Sequence, residues 1–368
     1  MIKCIAFCPE GFEDILCKDL QEILNKKAQK SKGCAIFSGD KKELFKFAYK
    51  CQSIEKVGIL LKQGKIKQDP YSIEIKDIDF NHIKNAFSIN CSIIGEKPFK
   101  SNDVALDVSE KMKKFTGKKA VYKQADTLYK IQIIDDDYYF FLDISSKELS
   151  KRDYKIFVNK ASLRGTIAYC TARLSEFKQT DIILDPYCKS GEISIEIAHY
   201  LTKKSVNFYA KDKFRIKDHI KESDFEKDVE IELKKNIDFQ LYATDSNMAN
   251  LKAAEKNSKI AGINKLVRFS RVNIEDLDLK FRNEIDKVIT QIPAFGKEKE
   301  KKILEMYREF FEICPKILKK NGTITCIGLN INPALKIAKQ NNFKLIHKRN
   351  VMQGKEMLDL FIFKSVKE

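Results

Sequence analysis

The stretch Asp181–Tyr200, DIILDPYCKSGEISIEIAHY, constrains the fold more than any other part of this chain. The apolar run Ile182–Leu184 stops at Asp185-Pro186, crosses a turn of small residues to Gly191, and resumes with Ile193, Ile197, Ala198 and Leu201 at helical spacing. That pattern predicts a strand, a tight turn and a helix. Such a turn aims backbone N–H groups and a helix N-terminus at whatever lies over the carboxyl end of the strand, which is where open α/β sheets take nucleotide-like ligands. An ordinary βα unit without a ligand has the same pattern.

The alternation continues downstream. FQLYATD, VRFSRVN, DKVITQIP and GTITCIGL read as strands, and SNMANLKAAEKNSKIAG, ILEMYREFFEICPKIL and NPALKIAKQNN as helices between them. An α/β domain over residues 161–368 follows, with a doubly wound, mostly parallel sheet. FKLIHKRNV and DLFIFKSV, on either side of MQGKEM, predict an antiparallel hairpin at one edge, and the charged run at about 202–239 predicts a surface insertion. Upstream, residues 147–160 read as a polar linker with one short strand. Residues 1–62 and 63–146 read as two α+β units, the first of βαβ type around KCIAFC and GCAIFSGD.

The 69 Lys and Arg against 52 Asp and Glu leave a net charge of +17. Residues 1–160 hold +7 of it, so no single basic tail accounts for the excess. A polyanionic partner is favoured by such a charge, although a chain-wide lysine bias produces the same total. KKFTGKKAVYK concentrates Lys113, Lys114, Lys118, Lys119 and Lys123 after a helix that Lys100 precedes, which suits contacts to a phosphate backbone; solvated helix ends look alike. Ten cysteines contain no C-x-x-C pair and the four histidines lie far apart, so no metal site is expected. With no apolar run near the roughly 20 residues that span a bilayer, the chain reads as soluble and cytoplasmic, with no membrane partner.

Four strand ends carry residues suited to an adenosine-containing ligand and its reaction. Asp185–Gly191 is the first. Asp245, closing the second, can accept from both ribose hydroxyls or cap a helix. Asn273, closing the third, can hold an adenine amine or cap a turn. TQIPAFG at the fourth joins an amide, a proline and an aromatic ring at one point, which suits a flipped base; Pro293 as a strand stop and Phe295 as core is the plainer alternative.

In their order these segments resemble the THUMP-domain RNA methyltransferases, including those that form N2-methylguanosine in tRNA. DYKIFVNKASLRGTIAYCTARLS followed by LDPYCKSGEISIEIA is similar to the family's linker and S-adenosylmethionine motif, usually D-P-x-C-G-S-G-T. FSINCSIIGEKPFKSNDVALDVSEKMKKFTGKKAVYK resembles a THUMP domain, and residues 1–60 the ferredoxin-like domain before it.

The resemblance implies a Rossmann-like domain that binds S-adenosylmethionine through Asp185, Pro186, Cys188, Ser190 and Gly191. Asp245 would then hold the ribose, and Asn273 with Ile274 the adenine. Gln291, Pro293 and Phe295 would receive the guanine, while Lys100, Lys113, Lys114, Lys118, Lys119 and Lys123 would face tRNA. Lys189 stands where the family has Gly. TQIPAFG admits two registers, with either Gln291 or Ile292 at the family's polar position. A tRNA-binding scaffold or partner subunit that no longer turns over is the alternative function.

Overall fold

In the computed structural model these patterns resolve into two mixed sheets joined by a short linker. The structure describes residues 1–122, 125–145, 147–159, 161–214, 238–294 and 300–366. The first sheet begins with β1 (Ile2–Phe7), α1 (Glu13–Leu24), β2 (Gln29–Ser31), β3 (Cys34–Gly39), α2 (Lys41–Lys50) and β4 (Lys56–Lys65). β1 pairs antiparallel with both β3 and β4, so it is inserted between the two strands that α2 connects. α2 starts on a capping box: the Glu43 amide donates to Asp40 Oδ1 at 2.8 Å and the Asp40 amide to Glu43 Oε2 at 2.9 Å.

β5 (Ala86–Ile94), α3 (Ser101–Thr116), β6 (Lys119–Ala120), β7 (Thr127–Ile134) and β8 (Asp137–Asp143) follow. β5 and β7 are parallel across α3, and β8 turns back on β7. β8 also pairs antiparallel with β4, which closes one eight-stranded sheet in the order β2-β3-β1-β4-β8-β7-β5-β6. The division expected at residues 62 and 63 therefore falls inside β4. One strand serves both units.

Residues 147–159 run as turns, without the short strand expected of them. Their backbone finds another partner: the Ile156 and Phe157 amides donate to Asn257 Oδ1 at 3.2 and 3.0 Å. After this linker come α4 (Gly165–Leu174), β9 (Ile182–Asp185), α5 (Glu192–Thr202), β10 (Gln240–Asp245) and α6 (Met248–Ala261). β11 (Arg268–Arg271), α7 (Leu277–Lys280), β12 (Ile285–Gln291), α8 (Glu300–Ile317), β13 (Leu318–Leu329), α9 (Pro333–Gln340), β14 (Phe343–Gln353) and β15 (Glu356–Ser365) complete the chain.

The second sheet has the order β11-β10-β9-β12-β13-β15-β14, parallel from β11 to β13. β15 enters antiparallel between β13 and β14, leaving β14 at the edge. Strand order reverses at β9 and β12, and at such a switch point the strands' carboxyl ends open a crevice. Helices cover both faces, which is why β9 and the carboxyl-terminal parts of β12 and β13 are buried at consecutive rather than alternate residues.

The segment after α5 differs from the surface insertion expected. Val206, Ala210 and Phe214 are buried, and the Phe214 ring lies 5.7 Å from Phe45 and 6.3 Å from Tyr49 of the first sheet's helix α2. These apolar residues are spaced among lysines, so composition alone reads the segment as polar. Residues 215–237, which hold most of its charge, lie outside the described residues.

A buried polar junction joins the two halves. Arg152 Nε donates to Glu196 Oε1 at 2.7 Å and its Nη2 to the Gln52 carbonyl at 2.6 Å, while Gln52 Nε2 donates to Glu196 Oε2 at 2.7 Å. The Tyr154 hydroxyl adds a bond to Glu196 Oε1 at 2.8 Å. Nearer the edge hairpin, Arg349 holds Asp14 through two contacts of 2.7 and 3.0 Å. Among the described residues no helix is long and apolar enough to cross a membrane, and no group of three or more His, Cys, Asp or Glu could hold a metal.

Candidate active site

β9, β10 and β12 end side by side, and their last residues converge. Asp185 is fully enclosed: the Thr290 hydroxyl donates to its Oδ1 at 2.7 Å and the Ser194 hydroxyl to its Oδ2 at 3.1 Å. Burial pushes its carboxyl up to about 7, against those two hydroxyls, and the neighbouring Asp245 and Glu192 carboxylates add to the rise. Thr290 immediately precedes Gln291, so this one hydrogen bond ties the first strand end to the fourth. The turn is held by backbone bonds from the Cys188 amide to the Thr244 carbonyl at 3.0 Å and from the Gly191 amide to the Cys188 carbonyl at 2.7 Å.

Gly191 has φ +87°, and a Cβ there would meet Ala254 Cβ at 3.1 Å, so a side chain would strain the backbone and crowd α6. Lys189 also has a positive φ, +49°, in a turn where the family motif has glycine. Its amide donates to Asp245 Oδ2 at 3.1 Å. Burial pushes its ammonium down to about 8, while Glu192, Asp185 and Asp245 act in the opposite direction. Ser190 is buried and donates to Glu192 Oε1 at 2.7 Å. Cys188 and Pro186 are buried too, and the Cys188 thiol belongs to the core between the sheet and α4.

Asp245 is heavily bonded. Its Oδ1 accepts from the Asn247 amide at 2.9 Å and its Oδ2 from the Lys189 amide, while Asn250 Nδ2 lies 3.1 Å from each oxygen. Asn273 is exposed and donates to Asp276 Oδ2 at 3.1 Å, closing the turn after β11, and Ile274 is buried beneath it. Among the described residues, Asn273 thus shares no hydrogen bond with the polar cluster at the other three strand ends.

At the fourth, Gln291 Nε2 donates to the Ala161 carbonyl at 2.7 Å. Ile292 is 0% exposed in the core beside Leu184 and Phe310, and its amide donates to the Ile327 carbonyl at 3.1 Å. Pro293 is half-buried, and its carbonyl accepts from the Tyr307 hydroxyl at 2.5 Å. Phe295 lies outside the described residues. Ala161 begins a turn whose Arg164 amide donates to Gln353 Oε1 at 2.8 Å and whose guanidinium reaches Glu55 at 3.2 Å. A cleft of about 410 Å3 opens there between the first sheet and the edge hairpin, lined by Lys56, Arg164, Gln132 and Met352 among others.

The lysines divide. Lys113, Lys114, Lys118 and Lys119 are exposed together at the C-terminal end of α3 and on β6. Lys100 lies before the other end of that 16-residue helix, roughly 20 Å away along its axis. Lys123 lies outside the described residues. Phe115 at 55% and Tyr122 at 90% exposure stand among these lysines, and neither ring has a periodic signature that separates it from core.

Several polar residues of the site lack a motif in the sequence. Asn257 of α6 is 0% exposed; it accepts both linker amides and donates to the Phe157 carbonyl at 2.7 Å and the Ser190 carbonyl at 2.9 Å. Asn250, Thr290 and Ser194 are similar cases. For the two asparagines the regular spacing of α6 is a signal, since it places Asn250 and Asn257 seven residues apart on one face.

This set fits a cofactor with an adenosine and an amino-acid end. Carboxylates at two adjacent strand ends can accept from hydroxyl and ammonium groups, and Gly191 lets the turn after β9 pack closely against α6. Strand order, switch-point crevice and loop together define a Rossmann-like methyltransferase domain that uses S-adenosylmethionine. Residues 152–359 match UPF0020, the RMKL-like methyltransferase domain, and the chain belongs to that family.

Over 363 residues the chain is 28% identical to the tRNA (guanine(6)-N2)-methyltransferase of Methanocaldococcus jannaschii, covering 91% of this chain and 92% of the relative. The enzyme of the same name from Archaeoglobus fulgidus is 22% identical over 379 residues, covering 99% and 92%. Among solved structures, TrmN from Thermus thermophilus superposes with a TM-score of 0.70 at 17% identity over 100% of both chains. SMU.472, solved in complex with SAH, gives 0.80 at 16% identity over 100% of this chain and 99% of its own.

Proposed function

We propose that this protein methylates the N2 amine of a guanine in tRNA, with guanine 6 the first position to test. The near full-length similarity to two tRNA (guanine(6)-N2)-methyltransferases carries this reading, because it spans both sheets rather than the cofactor domain alone. The exposed cluster of Lys113, Lys114, Lys118 and Lys119 with Phe115 and Tyr122 supports it: cations and exposed rings together suit phosphate contact and base stacking.

When bound, S-adenosylmethionine supplies an electrophilic methyl group. In this reading Asp185, the Lys189–Gly191 turn and Asp245 hold and orient it. Gln291 sits at the strand end linked to Asp185 through Thr290, so its side-chain oxygen can accept an N–H of the guanine amine and aim the nitrogen lone pair. Bound there, S-adenosylmethionine would supply the methyl group and leave as its thioether, while Gln291 would hold the N2 amine in line and the proton that the amine loses would pass to solvent.

The test is transfer from labelled S-adenosylmethionine to unmodified tRNA transcripts, followed by nucleoside digestion and mass spectrometry. N2-methylguanosine, lost in Gln291→Ala, is the expected product. Label on a different nucleoside would overturn the guanine assignment. Cofactor binding without transfer to any tRNA would replace catalysis with the scaffold role.

A further inference from the structure

The edge hairpin reaches back to the end of β12. At its tip, Gln353 Oε1 accepts from the Arg164 amide at 2.8 Å, across 189 residues of chain. In the same turn the Ala161 carbonyl accepts from Gln291 Nε2 at 2.7 Å. Ala161 is exposed and lies outside regular secondary structure, so where its carbonyl points depends on what holds the turn. The other holds come from elsewhere. The Ser162 hydroxyl donates to Glu192 of α5, the Lys155 ammonium to the Leu163 carbonyl, and the Arg164 guanidinium to Glu55, the residue before β4. Gln353 is the hairpin's contribution, and its neighbour Gly354 lies against the same arginine: a Cβ there would meet Arg164 Nη2 at 3.7 Å.

A carbonyl oxygen can only accept, so the bond to Ala161 decides which way round the Gln291 amide stands. Nε2 is committed to the turn, and Oε1 is left for a donor on the ligand. Without that bond the amide can rotate by half a turn and offer N–H where an oxygen is needed. We infer that Gln353 is a positioning residue for Gln291: through the Arg164 amide it fixes the turn that orients the Gln291 amide. The end of β12 is thereby set as an acceptor for an exocyclic N–H rather than a donor to a ring nitrogen or a carbonyl. This rests on the role proposed above for Gln291 and adds what holds that residue in it.

The experiment is steady-state methyl transfer to tRNA by the full-length protein, with the Kd for S-adenosylhomocysteine and the urea midpoint measured alongside. Gln353→Met keeps the length of the side chain and removes its acceptor, whereas Gln353→Glu keeps an acceptor. Since a misplacement on the order of 1 Å costs about a hundredfold in rate, Gln353→Met should lower kcat about tenfold or more, with KM for tRNA and the Kd changed by less than about twofold. Gln353→Glu should recover most of the loss. Gln291→Glu still offers oxygen but cannot donate to the Ala161 carbonyl, so it should already carry the loss. Adding Gln353→Met to it should lower kcat no further.

A general weakening of the fold lowers the urea midpoint and adds to the effect of Gln291→Glu, so it does not imitate this result. Additive losses in the double variant, a rise in KM without a fall in kcat, or an unchanged rate in Gln353→Met overturns the positioning role and leaves the reading of the site intact. No transfer by the parent to any tRNA overturns that reading, and the positioning role with it.

Discussion

Asn250 Nδ2 lies 3.1 Å from both oxygens of Asp245, and Asn250 Oδ1 in turn accepts from Asn159 Nδ2 at 3.0 Å. The side chain therefore stands between the second strand end and the linker. Ribose hydroxyls that use Asp245 must share its oxygens with Asn250 or displace it. Asn250→Ala should bind S-adenosylhomocysteine about threefold to tenfold more tightly, the equivalent of one net hydrogen bond no longer competing. Titration of the variant and the parent decides it; weaker binding would mean that Asn250 helps to hold the ligand.

The Arg152–Glu196 pair is enclosed, with side chains 1% and 0% exposed. Removing one partner strands the other charge. Arg152→Ala should cost about 3–5 kcal/mol in urea unfolding, whereas Arg152→Met combined with Glu196→Gln should cost less than Arg152→Ala alone. Equal losses in the two variants would show that packing, not charge, governs the junction.

Asp185 gives a pH signature. Its carboxyl lies near 7 in the folded protein against an ordinary value of 3.8, so between these limits the folded state binds the proton more tightly than the unfolded chain. The stability this provides is complete below about 3.8 and is lost as pH rises through about 7. Asp185→Asn, which remains neutral, should therefore gain stability relative to the parent as pH rises over that interval. Parallel curves of denaturation midpoint against pH for the two proteins would contradict the buried, neutral carboxyl.

Lys118 and Lys119 are exposed, although Lys118 Nζ also donates to the Lys84 carbonyl at 3.0 Å. If both contact phosphates, Lys118→Glu with Lys119→Glu should weaken tRNA binding and reduce the slope of log K against log salt by about 1.8, or 0.9 per phosphate contact. An unchanged slope would remove this face from the RNA interface.

The strand, turn and helix at Asp181–Tyr200 were legible in the sequence because one apolar period gives way to another across a small-residue turn. The doubly wound sheet and its edge hairpin were legible for the same reason. β4 was harder to read: its second half, KQGK, lies in the sheet yet carries the polar composition of a loop. The linker reads as a strand because Ile156, Phe157 and Val158 are β-formers, but Asn257, a hundred residues away, takes the Ile156 and Phe157 amides. At the site, Asp185, Gly191 and Asp245 announce themselves as strand-end and turn residues. Thr290, Ser194, Asn250 and Asn257 do not, since a polar residue on a buried face is indistinguishable in sequence from one in water.

β4 has a mechanical consequence. Because it pairs with β1 along one side and β8 along the other, the unit bearing the exposed lysines has no joint with the unit that docks on the methyltransferase domain. At the junction with the methyltransferase domain, Arg152 is bolted to Glu196. The chain is built like a caliper with its screw tightened: the span between the lysine cluster and the end of β12 is cut during folding.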